Sequence, residues 1–178
     1  MILSDKTILQ EIAAGNIIID PLNHEYVNPN SVDLTLAPQF KRYTGDILDP
    51  RQPNPVDEFV IPPQGYILHP GEVYLYACNE RIGVKNNIRA KVEGKSSLGR
   101  LGLFIHVTAG FIDTGFEGSL VLELVATKPV IVYPNMKICQ VEFARVEGEI
   151  LETYDQKAGS KYHGQSGVQE SKYHENFK

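Results

Sequence analysis

Cysteine is nearly missing from this 178-residue chain, with Cys78 and Cys139 far apart and without a CxxC or HxE companion. A disulfide framework and a zinc site are therefore not expected, and a reducing compartment, the cytoplasm, is the economical location. Basic excess is missing too: 17 Lys and Arg against 22 Asp and Glu give a formal charge of −5. That balance excludes a general nucleic-acid or membrane-surface binder, though not a site that gathers cations locally around a small anion. No long apolar run occurs, and MILSDKTILQEI carries charge by Asp5, so neither a signal peptide nor a membrane span is expected. Helical periodicity all but disappears after the opening residues.

What is present reads as one globular domain: 42% apolar and 22% charged residues allow a substantial core. Ser4 is placed to cap a short helix carrying Ile8, Leu9 and Ile12 on one face, with Gly15 as its stop. Ile17–Ile19 reads as a buried strand closed by Asp20-Pro21. Val32, Leu34 and Leu36 alternate with Asp33 and Thr35, the period-two pattern of a half-buried strand. GDILDPRQPNPVDE, residues 45–58, reads as an exposed excursion. Alternating runs around Val73–Ala77 and Ile88–Val92 predict further strands, as do segments 103–107, 119–125, 130–133 and 137–143. Many short strands between Gly, Pro and Asn turns predict an all-β barrel or sandwich. From about Asp155 the composition shifts to Gly, Ser, Lys, Gln, His and Tyr. Such a segment is either a disordered tail or a mobile flap that orders over a ligand.

Chemically useful side chains concentrate in Gly94–Glu123, GKSSLGRLGLFIHVTAGFIDTGFEGSLVLE. Gly94-Lys95-Ser96 matches the end of a P-loop, but Arg89 stands where that motif needs its first glycine, and the flanks are not βαβ. SSLGRLG can instead form one helical turn with hydroxyls and Arg100 facing an anion, or a solvated turn with a structural arginine. Glu123 falls between Val121 and Val125 on the strand face opposite Leu120, Leu122 and Leu124. Partial desolvation there raises a carboxyl toward the range of a general base, although an ion-paired or edge glutamate has the same sequence signature. Asp113 sits in a Gly-punctuated turn, suited either to capping backbone amides or to accepting a sugar hydroxyl, with Phe116 as an apolar platform. His106 reads as a hydrogen-bonded core histidine, and the Gln140 amide needs partners inside an apolar strand.

In this order the motifs resemble the dCTP deaminase branch of the trimeric dUTPase-like superfamily. They are MILSD, NSVDLTL (Asn30–Leu36), GKSSLGRLG, HVTAGFIDTGF, LVLEL, MKICQ, AGSKYHGQSG and the terminal Asn176-Phe177, spread over nearly the whole chain. The resemblance implies a distorted β-barrel with a short N-terminal helix. Residues 1–154 would form the catalytic barrel and 155–178 a C-terminal flap closing over the site. Three active sites would lie at the interfaces of a homotrimer.

By motif match, Glu123 is the implied general base for attack of water on cytosine C4. Ser96 and the Ala109 backbone are implied to position that water, and Arg100 to reach the substrate from a neighbouring subunit. Lys95, Ser96, Ser97, Leu98, Gly99, Arg100, Gln140, Tyr154, Lys161 and Gln165 would hold the triphosphate nucleotide. Asp113 and Phe116 would meet the deoxyribose, and Val121, Leu122 and Glu123 the base. The resemblance implies Mg²⁺ carried on the phosphates, no zinc, and dTTP as a competing feedback inhibitor. Gly110-Phe111 resembles the dUTPase form of the motif, where monofunctional deaminases carry a bulkier polar residue. A glycine there would free space near sugar and phosphates for a second water. The expectation is therefore dCTP plus two waters giving dUMP, ammonia and diphosphate. A deaminase that stops at dUTP, a dUTPase without deamination and a non-catalytic pyrimidine-nucleotide sensor are the competing readings.

Overall fold

Ser4 opens α1 (Asp5–Ala13) in the computed structural model, which describes Met1–Lys178; its hydroxyl accepts from the Thr7 amide at 3.4 Å. Ile8 is fully buried on the inner face, and Gly15 ends the helix at φ +74°, a left-handed position glycine adopts without steric cost. Strands follow as β1 (Ile17–Asp20), β2 (Val27–Asn28), β3 (Ser31–Tyr43), β4 (Val56–Val60), β5 (Tyr66–Leu68), β6 (Tyr74–Val84) and β7 (Ile88–Gly94). A single turn, α2 (Ser96–Gly99), precedes β8 (Leu103–Phe104), β9 (Phe111–Ile112), β10 (Glu117–Ala126), β11 (Val130–Val132) and β12 (Lys137–Arg145). No helix is long and apolar enough to cross a membrane.

Ten strands form one sheet ordered β8-β10-β6-β3-β12-β7-β9, with β1 on β6 and with β2 and β4 on β3; β5 and β11 pair separately. Curled on itself, this antiparallel sheet is a distorted β-barrel. Its interior holds Phe40, which stacks on Tyr76 at 4.9 Å between ring centroids. The Sγ atoms of Cys78 and Cys139 lie 3.8 Å apart in the same interior, both as free thiols. The hydrogen bond with Cys139, together with burial, holds the Cys78 thiol well above the ordinary range.

The sequence pattern misjudges β3. Alternation predicts one wet face, yet every residue from Val32 to Ala37 is buried, including Asp33 and Thr35. Lying between β6 and β12 in the sheet, the strand is paired along both edges, and the polar groups on its other face are internally paired and closed off from water by their partners. Thr35 donates from its amide and hydroxyl to Glu80 at 2.9 and 2.7 Å. Asp33 accepts from Lys95 at 2.6 Å and Asn28 at 3.1 Å, and pairs with Lys137 at 3.2 Å. Two smaller departures follow the same logic. The 45–58 excursion ends in β4, where Val56 registers against Tyr43, and the strand expected over 103–107 stops at Phe104.

The segment after Asp155 has no strand and only a 3-10 turn at Tyr173–Phe177, but it is held against the barrel. Gly164 donates to the Glu117 carbonyl at 2.7 Å, and the Ser119 amide donates to the Gln165 carbonyl at 3.0 Å. Val168 is buried with Ala37, Leu75 and Ala77. Farther on, Lys41 pairs with Glu170 at 3.0 Å and the Tyr43 hydroxyl accepts from the Ser171 amide at 3.0 Å.

Candidate active site

β10 carries the central side chain. Its residues alternate between buried and half-buried, so Leu120, Leu122 and Leu124 enter the core while Val121, Glu123 and Val125 face outward. Glu123 registers against Leu75 of β6, past a bulge between Ser119 and Val121. It opens into a cavity of about 430 Å³, a volume in the range of small-ligand sites, roughly 300–1,000 Å³. Burial pushes the Glu123 carboxyl above its ordinary range, against a smaller opposing pull from the His106 imidazole.

Several residues singled out in the sequence meet at this cavity. Ala109, Phe111, Asp113, Phe116, Val121, Tyr154 and Gln165 line it with Glu123. Phe116 is 7% exposed and meets the Tyr154 ring edge-on at 5.7 Å, which braces the turn against the start of the tail. The same turn is locked by the Thr114 hydroxyl, which donates to the Ile88 carbonyl at 2.8 Å. Asp113 is exposed, and its carbonyl accepts from the Phe116 amide at 3.0 Å. The Gln165 side chain donates to the Ser119 carbonyl at 2.7 Å, while its own amide oxygen is buried without a partner in the chain.

A second group lies apart. Lys95, Ser96, Ser97, Leu98, Gly99, Arg100, Gln140 and Lys161 do not line that cavity. Lys95 follows β7 and is tied to Asp33, and Ser96, Ser97, Gly99 and Arg100 are exposed on α2. Gln140 registers against Asp33 and Glu93 and accepts from Ser31 at 3.4 Å, which puts it beside the Lys95 turn. Lys161 donates to Asn176 at 2.6 Å within the tail. Leu122 points into the core at 1% exposure, so its side chain turns away from the cavity.

His106 is half-buried, with Nδ1 lacking any partner in the chain, rather than the hydrogen-bonded core histidine that the pattern predicts. Gly110 is buried next to it. Sequence reasoning did not assign Leu75, Tyr43, Tyr162 and Glu170 to the site, yet all line the cavity. Leu75 was legible as an inward strand position; its pairing with Glu123 was not, because register is a tertiary property.

A half-buried glutamate opening into a cavity of small-ligand size, on a curled antiparallel barrel, makes a site suited to proton transfer with a bound small molecule. The model of a family described as dCTP deaminase-like matches residues 2–146. A relative from Clostridium beijerinckii named "dCTP deaminase, dUMP-forming" is 44% identical over 177 residues, 99% of each chain. A relative of the same name from Methanosphaera stadtmanae is 40% identical over 188 residues, covering 99% of this chain and 95% of that one. Among solved structures, 2'-deoxycytidine 5'-triphosphate deaminase from Agrobacterium tumefaciens aligns with a TM-score of 0.66 at 26% identity. That alignment covers 85% of this chain, which spans half the length of the solved one. The chain belongs to the dCTP deaminase-like family.

Proposed function

We propose that this chain converts dCTP and two waters to dUMP, ammonia and diphosphate, supplying dUMP for thymidylate synthesis. The carrying observation is Glu123, a carboxyl raised by burial at a nucleotide-sized cavity, in a chain 44% identical to relatives named dUMP-forming. In this reading the carboxylate takes a proton from water as the oxygen adds to cytosine C4. It then returns protons toward N3 and the departing amine, so ammonia leaves and the C4 carbonyl forms. Water held between a desolvated base and fixed partners, here the Ala109 backbone and Ser96 from the neighbouring copy, loses little entropy on attack. A second water at the α-phosphorus releases diphosphate.

Arg100 and the Lys95 turn lie outside the cavity that holds Glu123, so in this reading they complete the site of a neighbouring copy in a homotrimer. Apolar side chains flanking that turn support such an interface: Leu101, Phe104, Val107 and Phe111 are all more than half exposed in the single chain. Asp113 and Phe116 take the deoxyribose, and Tyr154 at the end of the barrel closes on the triphosphate with Lys161 and Gln165 of the tail. Residues 1–154 thus act as the barrel and 155–178 as its flap. No group of three or more His, Cys, Asp or Glu side chains gathers into a metal cage. Mg²⁺ fits this chain as an ion carried on the substrate phosphates, whose charge it neutralises. Feedback by dTTP follows from competition for the same cavity, and the reaction belongs in the cytoplasm.

Incubation with dCTP and Mg²⁺, followed by chromatography of nucleotides and assay of ammonia and diphosphate, tests the reading. Equal amounts of dUMP, ammonia and diphosphate are expected. Stoichiometric dUTP without diphosphate replaces it with a deaminase that stops at dUTP, and nucleotide binding without ammonia replaces it with a sensor.

A further inference from the structure

Gly110 is buried and does not line the cavity around Glu123. A Cβ built on it would lie 2.9 Å from His106 Cε1, 3.4 Å from His106 Nε2 and 3.1 Å from the Val92 carbonyl oxygen. Carbon atoms in ordinary contact stand about 3.5–4.0 Å apart, so the ring and a side chain at 110 compete for one space. The room left by the missing side chain is filled by imidazole rather than open to sugar and phosphates.

The backbone at 110 has little freedom to retreat, because its carbonyl accepts from the Val92 amide at 2.9 Å on β7. Its φ lies outside the left-handed region, so the backbone itself accepts alanine. The ring is the part that yields: Nδ1 is buried with no partner in the chain, and packing alone holds it. Between the ring and Gly110 runs a three-residue segment, Val107, Thr108 and Ala109, and Ala109 lines the cavity with Glu123.

We propose that His106 is a positioning residue for the hydrolytic site, and that Gly110 sets the reaction through it: the ring, seated where a side chain at 110 would be, fixes the segment that carries Ala109 to Glu123. This rests on the dCTP-hydrolysing reading above. Any side chain at 110 displaces the ring, and with it the geometry around the attacking water.

A double-mutant cycle tests the coupling. His106→Asn keeps a polar atom where Nδ1 lies but removes the Cε1–Nε2 edge that meets position 110. Steady-state kcat and KM for dCTP are measured for wild type, Gly110→Ala, His106→Asn and the double variant, with ammonia and diphosphate assayed separately. Gly110→Ala alone should lower kcat about tenfold or more, with KM changed by less than about threefold. In the His106→Asn background the same substitution should change kcat by less than about threefold. Equal losses in both backgrounds, or no loss in either, overturn the proposal, since the Val92 contact or nothing at all would then be responsible.

If Gly110→Ala does not fold, His106→Asn against His106→Phe carries the test. Phenylalanine, which keeps a ring in the space beside Gly110, should retain about tenfold more kcat than asparagine, which vacates it; equal kcat values overturn the proposal. The two readings fail separately. Wild type that releases ammonia without diphosphate removes the two-step reaction, yet the cycle is still read on ammonia. An uncoupled cycle removes His106 alone.

Discussion

Lys95 reaches from the end of β7 to Asp33 near the start of β3, with Nζ 2.6 Å from Oδ1 and the aspartate only 4% exposed. The turn that opens α2 is therefore anchored to the barrel through a buried charge, and Lys137 takes the other oxygen at 3.2 Å. Burial by itself would raise the Asp33 carboxyl. The two ammoniums and the Asn28 amide more than offset that and hold it below the usual carboxylate range.

Asp33→Asn should cost about 2 kcal/mol, because it leaves two ammoniums facing a neutral amide in a covered site. Urea unfolding at neutral pH measures this, and a change below about 0.5 kcal/mol contradicts the anchoring role. The sign with pH follows from the depressed carboxyl. Between the folded value and the ordinary aspartate value the unfolded chain binds more protons, so stability rises with pH across that window. The contribution is complete above the ordinary value and is lost as pH falls through the folded one. Asp33→Asn should flatten that part of the profile.

Glu123→Gln keeps the shape of the side chain and removes the base. Deamination should fall by about 100-fold or more, while nucleotide binding measured by calorimetry is retained. Near-normal turnover would take Glu123 out of the mechanism. Stability should move the other way. The carboxyl is raised by burial, so the folded chain binds more protons than the unfolded chain between the ordinary and the raised values. Wild type therefore loses stability as pH climbs through that window, and Glu123→Gln should not.

Placement of Arg100 outside the cavity that holds Glu123 predicts complementation. Arg100→Ala and Glu123→Gln should each be inactive alone. Unfolded and refolded together, the two variants should regain activity, because mixed copies of the proposed trimer would contain some sites with both native residues. A mixture as dead as its components would place both residues in one chain's site.

Gly118 packs under the tail: a Cβ there would meet the Gln165 carbonyl oxygen at 3.0 Å and the Gln165 amide nitrogen at 3.1 Å. Gly118→Ala should push the tail off β10 and raise KM for dCTP about tenfold, with little change in barrel stability. Val168→Ala should act in the same direction by removing buried methyl groups that contribute about 1–2 kcal/mol to docking. Limited proteolysis after Asp155 should quicken in both variants. Deletion of 156–178 should leave a folded barrel without catalysis; a truncated chain that fails to fold would make the tail structural.

Local pattern carries much of this protein. Period-two alternation located most strands, Ser4 and Gly15 bounded α1, and the placement of Glu123 between Val121 and Val125 was readable from side-chain spacing alone. The family motifs were readable too, because turns and their chemistry are short-range. Asp33 shows where this stops. Alternation records which residues share a face, but not whether that face is covered, and here the side chains of Lys95, Lys137 and Asn28 close over Asp33.

By itself the sequence determined most element types and the half-buried position of Glu123, since each depends on neighbours within a few positions, and the order of its motifs along the whole chain carried the family resemblance. Only the tertiary structure decided that Lys95 is held by Asp33, that Leu75 stands opposite Glu123, and that the space at Gly110 belongs to His106. Those are matters of strand register and close approach between distant segments, which cross-strand packing sets and periodicity does not encode.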